Sequence, residues 1–313
     1  MSAFPLWLRG GLMLAATAMA WGGMFPVVKP LLERVDPLTI AVIRFGLSVP
    51  ILVAILLFIE GPSAFKTQGK TLRLWWLGTL GFTGFGVLAI FGVGSIRPEH
   101  AAVVPALMPL ISIVVISMRT RRLPRPLVLF AIALGLAGVA LVASRGNPEA
   151  LLHSGETRGM ALVFLGVTCW VFYTLAAAEF PSWSGLRYTT LTLSLSVISI
   201  LAMLIIAVAL GAIKLPTLAT LVSAAPSFSY LILLASVMGF LFWNAGMRAL
   251  GPAHGVLFIN LVPVTAFSIA LIQGHIPTGW EVAGVALVIS ALALNSFASK
   301  KRPSRPGLAC ING

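Results

Sequence analysis

Arg44 stands between Ile43 and Phe45 in a long apolar run, and the nearest acid in the chain is Asp36. A guanidinium near the centre of a membrane helix costs about 2.5–3.5 kcal/mol on insertion scales, so it demands a partner, a water-filled cavity or a route to the interface. Its candidate roles are an anchor for a solute carboxylate, a tie to the backbone of a neighbouring helix, or a snorkelling cation. Lys29 is a second cationic candidate for solute binding, with Glu33 and Asp36 close by as simple ion-pair partners. His100 and His254 each follow a proline by two residues, in Pro98-Glu99-His100 and Pro252-Ala253-His254. Imidazoles in such matched places either relay protons or line an interface.

Aromatic and amide side chains form the next set. Trp21, Trp170, Tyr173, Phe82, Phe85 and Trp243 with Asn244 lie in apolar runs, and Asn260 precedes Pro263 by three residues. An aromatic wall with a few converging polar groups suits a small amphiphilic solute; the competing readings are an interfacial belt and plain helix packing. Pro105, Pro109 and Pro263 each remove a backbone hydrogen bond inside a helical run. In lipid the freed carbonyl needs a protein or water partner, so these prolines are expected at a kinked, cavity-lining core of the bundle. The glycines at 78, 81, 84, 86, 135 and 138 are packing positions first, letting helices approach closely.

Enzyme chemistry finds no purchase. The four histidines and eight acids are scattered along the chain, every acid falls in a loop or near a helix end, and no phosphate-cradling glycine loop follows a strand. No catalytic residue, metal or cofactor is expected. An integral-membrane lipid-modifying enzyme is the remote alternative. The lack of an acid at mid-membrane also removes the usual support for exchange of a cationic drug against a proton.

The elements that carry these residues are dictated by composition: of 313 residues, 59% are hydrophobic and 9% charged, too few charges to coat a water-soluble globule of this size. The net charge of +13 does not point to nucleic acid, because the basic residues punctuate apolar runs and gather on no polar face. Apolar runs of roughly 20 residues, the length that spans a bilayer, fall at about 11–32, 38–59, 74–95, 99–117, 126–144, 158–178, 186–211, 226–249, 253–273 and 278–298. With the N-terminus in the cytoplasm, 14 of the 21 basic residues fall on the inner side, so both termini are expected there. Arg9 with the stretch Gly11 to Ala20 imitates a signal peptide, but the first run is needed as the partner of the sixth. Cys169 and Cys310 are expected to be free thiols.

The chain is duplicated. At an offset of 154, Pro98 to Pro109 overlays Pro252 to Pro263 with four identities in twelve, and Trp21 and Trp170 open runs one and six. The expected fold class is therefore an all-α membrane protein of ten transmembrane helices in two inverted-topology five-helix repeats. The repeats occupy 1–144 and 158–299, with a polar linker at 145–157 and a basic cytoplasmic tail at 300–313. An odd number of spans per repeat inverts the second half, and a pseudo-twofold pair of bundles suits alternating access to a central site between spans 1, 3, 4, 6, 8 and 9.

Trp21-Gly22 with Lys29 and Pro30, Arg44-Phe45, Phe242-Trp243-Asn244 and Leu261-Val262-Pro263-Val264, in this order and duplicated, resemble the EamA-type transporters of the drug/metabolite transporter superfamily over about residues 11–298. The resemblance implies a multi-pass carrier of the bacterial inner membrane that exports amino acids or related small metabolites. Partners are then a small-molecule solute, membrane lipid and a coupling proton, in a monomer or homodimer; a passive facilitator is the alternative function. Relatives carry a Gly-Glu pair after spans four and nine where this chain has Arg121-Arg122 and Gly274-His275, so whatever those carboxylates do is done differently here.

Overall fold

A computed structural model of the chain describes residues 5–147, 155–251 and 255–300. Every regular element among them is helical. The principal helices are α1 (Leu6–Leu31), α2 (Pro37–Glu60), α3 (Thr71–Ser95), α4 (Pro98–Thr120), α5 (Pro126–Ser144), α6 (Glu156–Glu179), α7 (Gly185–Ala209), α8 (Ala225–Leu250), α9 (Val256–Ile272) and α10 (Gly279–Lys300). The first eight are long and apolar enough to cross a membrane, whereas Val256–Ile272 and Gly279–Asn295 are apolar but shorter. Ten full-length spans were expected; α9 begins with a 3₁₀ segment, Val256–Asn260, and residues 252–254, including His254, lie outside the described residues.

Helix starts follow local chemistry. Asp36 caps α2 by accepting from the Thr39 amide at 2.9 Å, with Pro37 in the first turn where its missing N–H is harmless. Ser184 caps α7 by accepting from the Arg187 amide at 2.9 Å. Thr278 and Glu281 form a reciprocal capping box on α10: the Thr278 amide donates to Glu281 Oε2 at 2.6 Å and the Glu281 amide to Thr278 Oγ1 at 3.3 Å.

Four helices depart from α geometry within their length, in pairs that match between the halves, and α6 also ends in a 3₁₀ turn at Ala177–Glu179. Thr79–Gly84 of α3 and Tyr230–Met238 of α8 wind as π helix. Val104–Leu107 of α4 is 3₁₀ helix, as is Val256–Asn260 of α9. The prolines explain the second pair, since Pro105, Pro109 and Pro263 withhold the amide hydrogens that a continuous α ladder would use. Nothing in the sequence explains the first pair.

The helix crossings repeat too. α3 crosses α6 at Gly92 and Gly159, where an added Cβ on either would lie 2.6 or 2.8 Å from the carbonyl oxygen of the other. α8 crosses α1 at Gly246 and Gly10, where a Cβ on Gly246 would lie 2.9 Å from the Gly10 carbonyl oxygen, and α5 meets α10 at Gly138 and Gly284. Backbones at such spacing pack by van der Waals contact, the main source of helix association in lipid. Large apolar side chains on the outer faces, such as Phe58, Met118 and Leu201, are exposed.

Candidate functional site

Arg44 is held inside the bundle by helices from both halves. Its Nε donates to Ser236 Oγ of α8 at 2.9 Å, and its Nη1 donates to the thioether of Met24 on α1 at 2.9 Å. Its guanidinium carbon lies 4.8 Å from the Phe45 ring centroid, and the side chain is 3% exposed. Among the described residues no ion pair compensates its charge. The backbone supports it, as Ser48 one turn on donates to the Arg44 carbonyl at 2.6 Å.

Beside this guanidinium lies a small cavity of about 30 Å³, room for a water or two and well short of the roughly 300–1,000 Å³ of open small-molecule sites. α1 contributes Trp21, Met24 and Phe25; α2, Arg44 and Phe45; α3, Phe82 and Phe85; α4, Pro105 and Met108; α6, Trp170; α8, Phe240; and α9, Ile259 and Val262. Phe82, in the π segment of α3, is the hub. Its ring meets Phe45, Trp170 and Phe240 edge-on at 5.8, 5.6 and 5.4 Å between centroids, geometry that each ring quadrupole favours. Trp21 is fixed by its indole N–H, which donates to the Ala235 carbonyl in the π segment of α8 at 2.9 Å. Tyr230 in that segment donates to the Ala20 carbonyl at 2.8 Å, so two aromatic hydrogen bonds tie α8 to α1.

Of the expected solute-binding residues, Trp21, Arg44, Phe85 and Trp170 meet on this cavity, together with the kink residue Pro105. Tyr173 and Trp243 stand one layer behind: Tyr173 is 5.2 Å from Trp170 and donates or accepts at Thr192 at 3.2 Å, while Trp243 is 5.1 Å from Trp21. Asn244 donates to Thr189 Oγ1 at 3.3 Å and joins α8 to α7. Asn260 adjoins the lining residue Ile259 and keeps a buried Oδ1 with no partner. Pro263 is buried beside the lining residue Val262, and Pro109 follows the lining residue Met108. Lys29 goes elsewhere, donating to the Val93 and Gly94 carbonyls at 3.0 and 2.8 Å and so capping the C-terminal end of α3; Glu33 and Asp36 are not its hydrogen-bond partners.

Sequence reading missed several lining residues. Met24 and Phe25 lie three and four positions after Trp21, one helical turn, and so share its face. That spacing was a usable signal. Phe240, Ile259 and Val262 carry none, because one apolar residue among many has no mark of which face turns inward.

Two of the histidines and three of the acids, scattered in sequence, meet in space. His100 Nε2 is 2.6 Å from Glu281 Oε1, and neither side chain is exposed. His100 Nδ1 lies 3.6 Å from Glu156 Oε1, which Arg145 also reaches at 2.7 Å. His275 Nε2 lies 3.5 Å from Glu281 Oε2 and 3.6 Å from Glu99 Oε1, and Arg97 reaches His275 Nδ1 at 2.6 Å. These seven side chains come from the α4 start, the α5 end, the α6 start and the α9–α10 turn, so they close one end of the bundle with contributions from both halves. No cluster among the described residues has the makings of a metal site. At other helix ends, Arg73 pairs with Glu179 at 2.7 Å with both side chains well exposed, and Ser184 donates to Glu60 at 2.5 Å.

The chain matches the EamA-like transporter family over residues 8–144 and 157–297. It is 32% identical to "Uncharacterized transporter YrdR" of Bacillus subtilis (strain 168) over 296 residues, covering 93% of this chain and 92% of that protein. It is 26% identical to "Uncharacterized transporter YyaM" of the same organism, with 89% and 90% covered. "Uncharacterized inner membrane transporter YedA" of Escherichia coli (strain K12) is 24% identical, with 95% and 94% covered. One solved structure, described as a crystal structure of a protein, superposes with a TM-score of 0.64 at 18% identity over 93% of this chain and 98% of its own, a likeness of fold alone. Matched along both halves and accompanied throughout by transporters, this multi-pass membrane chain belongs to the EamA-like transporter family.

Proposed function

We propose that the protein is a secondary transporter that moves a small amino-acid-like or aromatic solute outward across the inner membrane by alternating access. One observation carries this reading: an aromatic cavity whose walls come from α1 to α4 of one half and α6, α8 and α9 of the other. A site shared between repeats changes its access when one repeat rocks against the other. In this reading α9 and α10 also span, giving ten helices in two inverted repeats, 1–144 and 158–299, joined by 145–157. Both termini and the 300–313 tail lie in the cytoplasm. The matched π and 3₁₀ segments and the repeated glycine crossings support the duplication.

Trp21, Arg44, Phe85 and Trp170 contact the solute directly, with Tyr173, Trp243 and Asn260 setting the shape of the wall. Asn244 and Lys29 act through helix placement. His100 is the coupling candidate, because its pairing with Glu281 links α4 to α10 and its proton count alters the charge buried at that end. A gradient-independent facilitator is the second reading, favoured by the absence of a carboxylate from the cavity lining.

Purified protein in liposomes, loaded with amino acids or aromatic acids and given an imposed proton gradient, tests both. Accumulation above equilibrium that needs the gradient and is lost in Trp170→Ala supports the coupled carrier. Equilibration indifferent to the gradient identifies a facilitator. Gradient-driven flux unchanged by Trp170→Ala would move the site out of this cavity.

A further inference from the structure

The cavity read above as the solute site has one ionised wall group, Arg44; its other lining side chains are apolar or aromatic, and of the two indole N–H groups among them, that of Trp21 is committed to the Ala235 carbonyl. The partners of Arg44 are neutral. Ser236 offers a hydroxyl, and Met24 offers a thioether, a weak acceptor that also faces the cavity. A buried cation with such partners is poorly compensated, and a carboxylate arriving in the cavity replaces the thioether with a charge-assisted hydrogen bond to a planar donor fork.

The same wall is unsuited to a positive charge. No lining carboxylate accepts from an ammonium group, and Arg44 repels one. The edge-on rings of Phe45, Phe82 and Phe240 and the indole of Trp170, packed on one another, instead give the cavity an aromatic wall suited to a flat apolar ring.

Resting on the reading of this cavity as the solute site, we propose that the solute is an aromatic or arylalkyl monocarboxylate carrying a single negative charge and no ammonium group. A zwitterionic amino acid satisfies half of this chemistry and strands the other half. A neutral ring packs on the aromatic wall and leaves Arg44 without its anion.

Three probes with a common phenyl-ethyl frame separate these charges: 3-phenylpropanoate, phenylalanine and 2-phenylethylamine. Binding of each to the full-length protein in nanodiscs is measured by calorimetry, and competition by each is measured in liposome flux. The expected order is 3-phenylpropanoate tighter than either relative by about tenfold or more, the margin that a buried charged anchor imposes on a mismatched ligand. Arg44→Lys keeps that order with weaker binding, and Arg44→Gln abolishes it. Should Arg44→Gln fail to fold, the order of the three probes on the unaltered protein still decides. Equal or tighter binding of phenylalanine or 2-phenylethylamine overturns the inference, as does no binding of any probe. The carrier reading is judged separately: flux of any other solute that is lost in Trp170→Ala keeps it, and a protein that moves no solute loses both.

Discussion

His100 and Glu281 are 181 positions apart in the chain, come from different halves, and share a hydrogen bond of 2.6 Å with neither side chain exposed. The same Glu281 closes the capping box of α10 through its other oxygen, which accepts from the Thr278 amide. One carboxylate therefore starts a helix and fastens that helix to α4.

Removing it should be costly. Glu281→Ala deletes a partner from a buried pair, for which losses of about 3–5 kcal/mol are usual, and it also opens the capping box. Glu281→Gln keeps the oxygen of the box and turns an NH2 donor toward His100, whose Nε2 accepts it in the other tautomer, and should lose less. Thermal unfolding in detergent checks the ranking. Equal melting temperatures in Ala, Gln and wild type would mean that the pair does not hold the bundle end together.

His100→Gln preserves a hydrogen-bonding group of similar reach but cannot take up a proton. Facing it are Glu281 of α10, Glu156 of α6 and, through those acids, Arg145 and His275. Uptake driven by an imposed proton gradient should fall in His100→Gln, measured in liposomes of matched protein content. Gradient-driven uptake equal to wild type would transfer the coupling to another group.

Glycine substitutions divide by what a side chain would meet. A Cβ on Gly92 would stand 2.6 Å from the Gly159 carbonyl, so Gly92→Ala should destabilise by about 1–3 kcal/mol through overpacking at the α3–α6 crossing. Gly46, in α2, has nothing within 4 Å of an added Cβ, and Gly46→Ala should stabilise by roughly 0.5–1 kcal/mol from helix propensity alone. Opposite shifts in melting temperature are the expected outcome.

Cavity and support residues should separate in transport. Trp170→Ala removes a ring that meets Trp21, Phe82 and Phe85 and should reduce flux by about tenfold or more, in keeping with the loss of a buried aromatic anchor. Trp243→Ala acts through Trp21 and should impair flux less. Lys29→Gln loosens the end of α3 and should lower the melting temperature slightly, by about 0.3–1 kcal/mol of helix-terminus interaction, with flux retained. Flux measured at equal membrane insertion distinguishes the three, and a Lys29→Gln variant that folds normally but carries nothing would return Lys29 to the solute path.

Much of this architecture is set by composition and repetition, which need no tertiary information. A chain with 9% charged residues and long apolar runs has lipid as its solvent, and in lipid each backbone must satisfy itself as helix. The prolines of runs four and nine likewise foretold a break in regular helix, because a missing amide hydrogen acts locally. Arg44 announced a buried partner by its cost alone, but its partners, Met24 and Ser236, depend on how three helices cross.

What the folded chain alone decided are the relations between residues far apart. Apolar runs carry little amphipathic pattern, so nothing local marks Phe240 or Ile259 as facing inward. The π turns of α3 and α8, which carry the hub Phe82 and the Trp21 and Arg44 acceptors, leave no trace in residue type. Two histidines and three glutamates read as scattered along the chain because their spacing is set by the folding of helices back on one another, a distance that sequence separation does not measure.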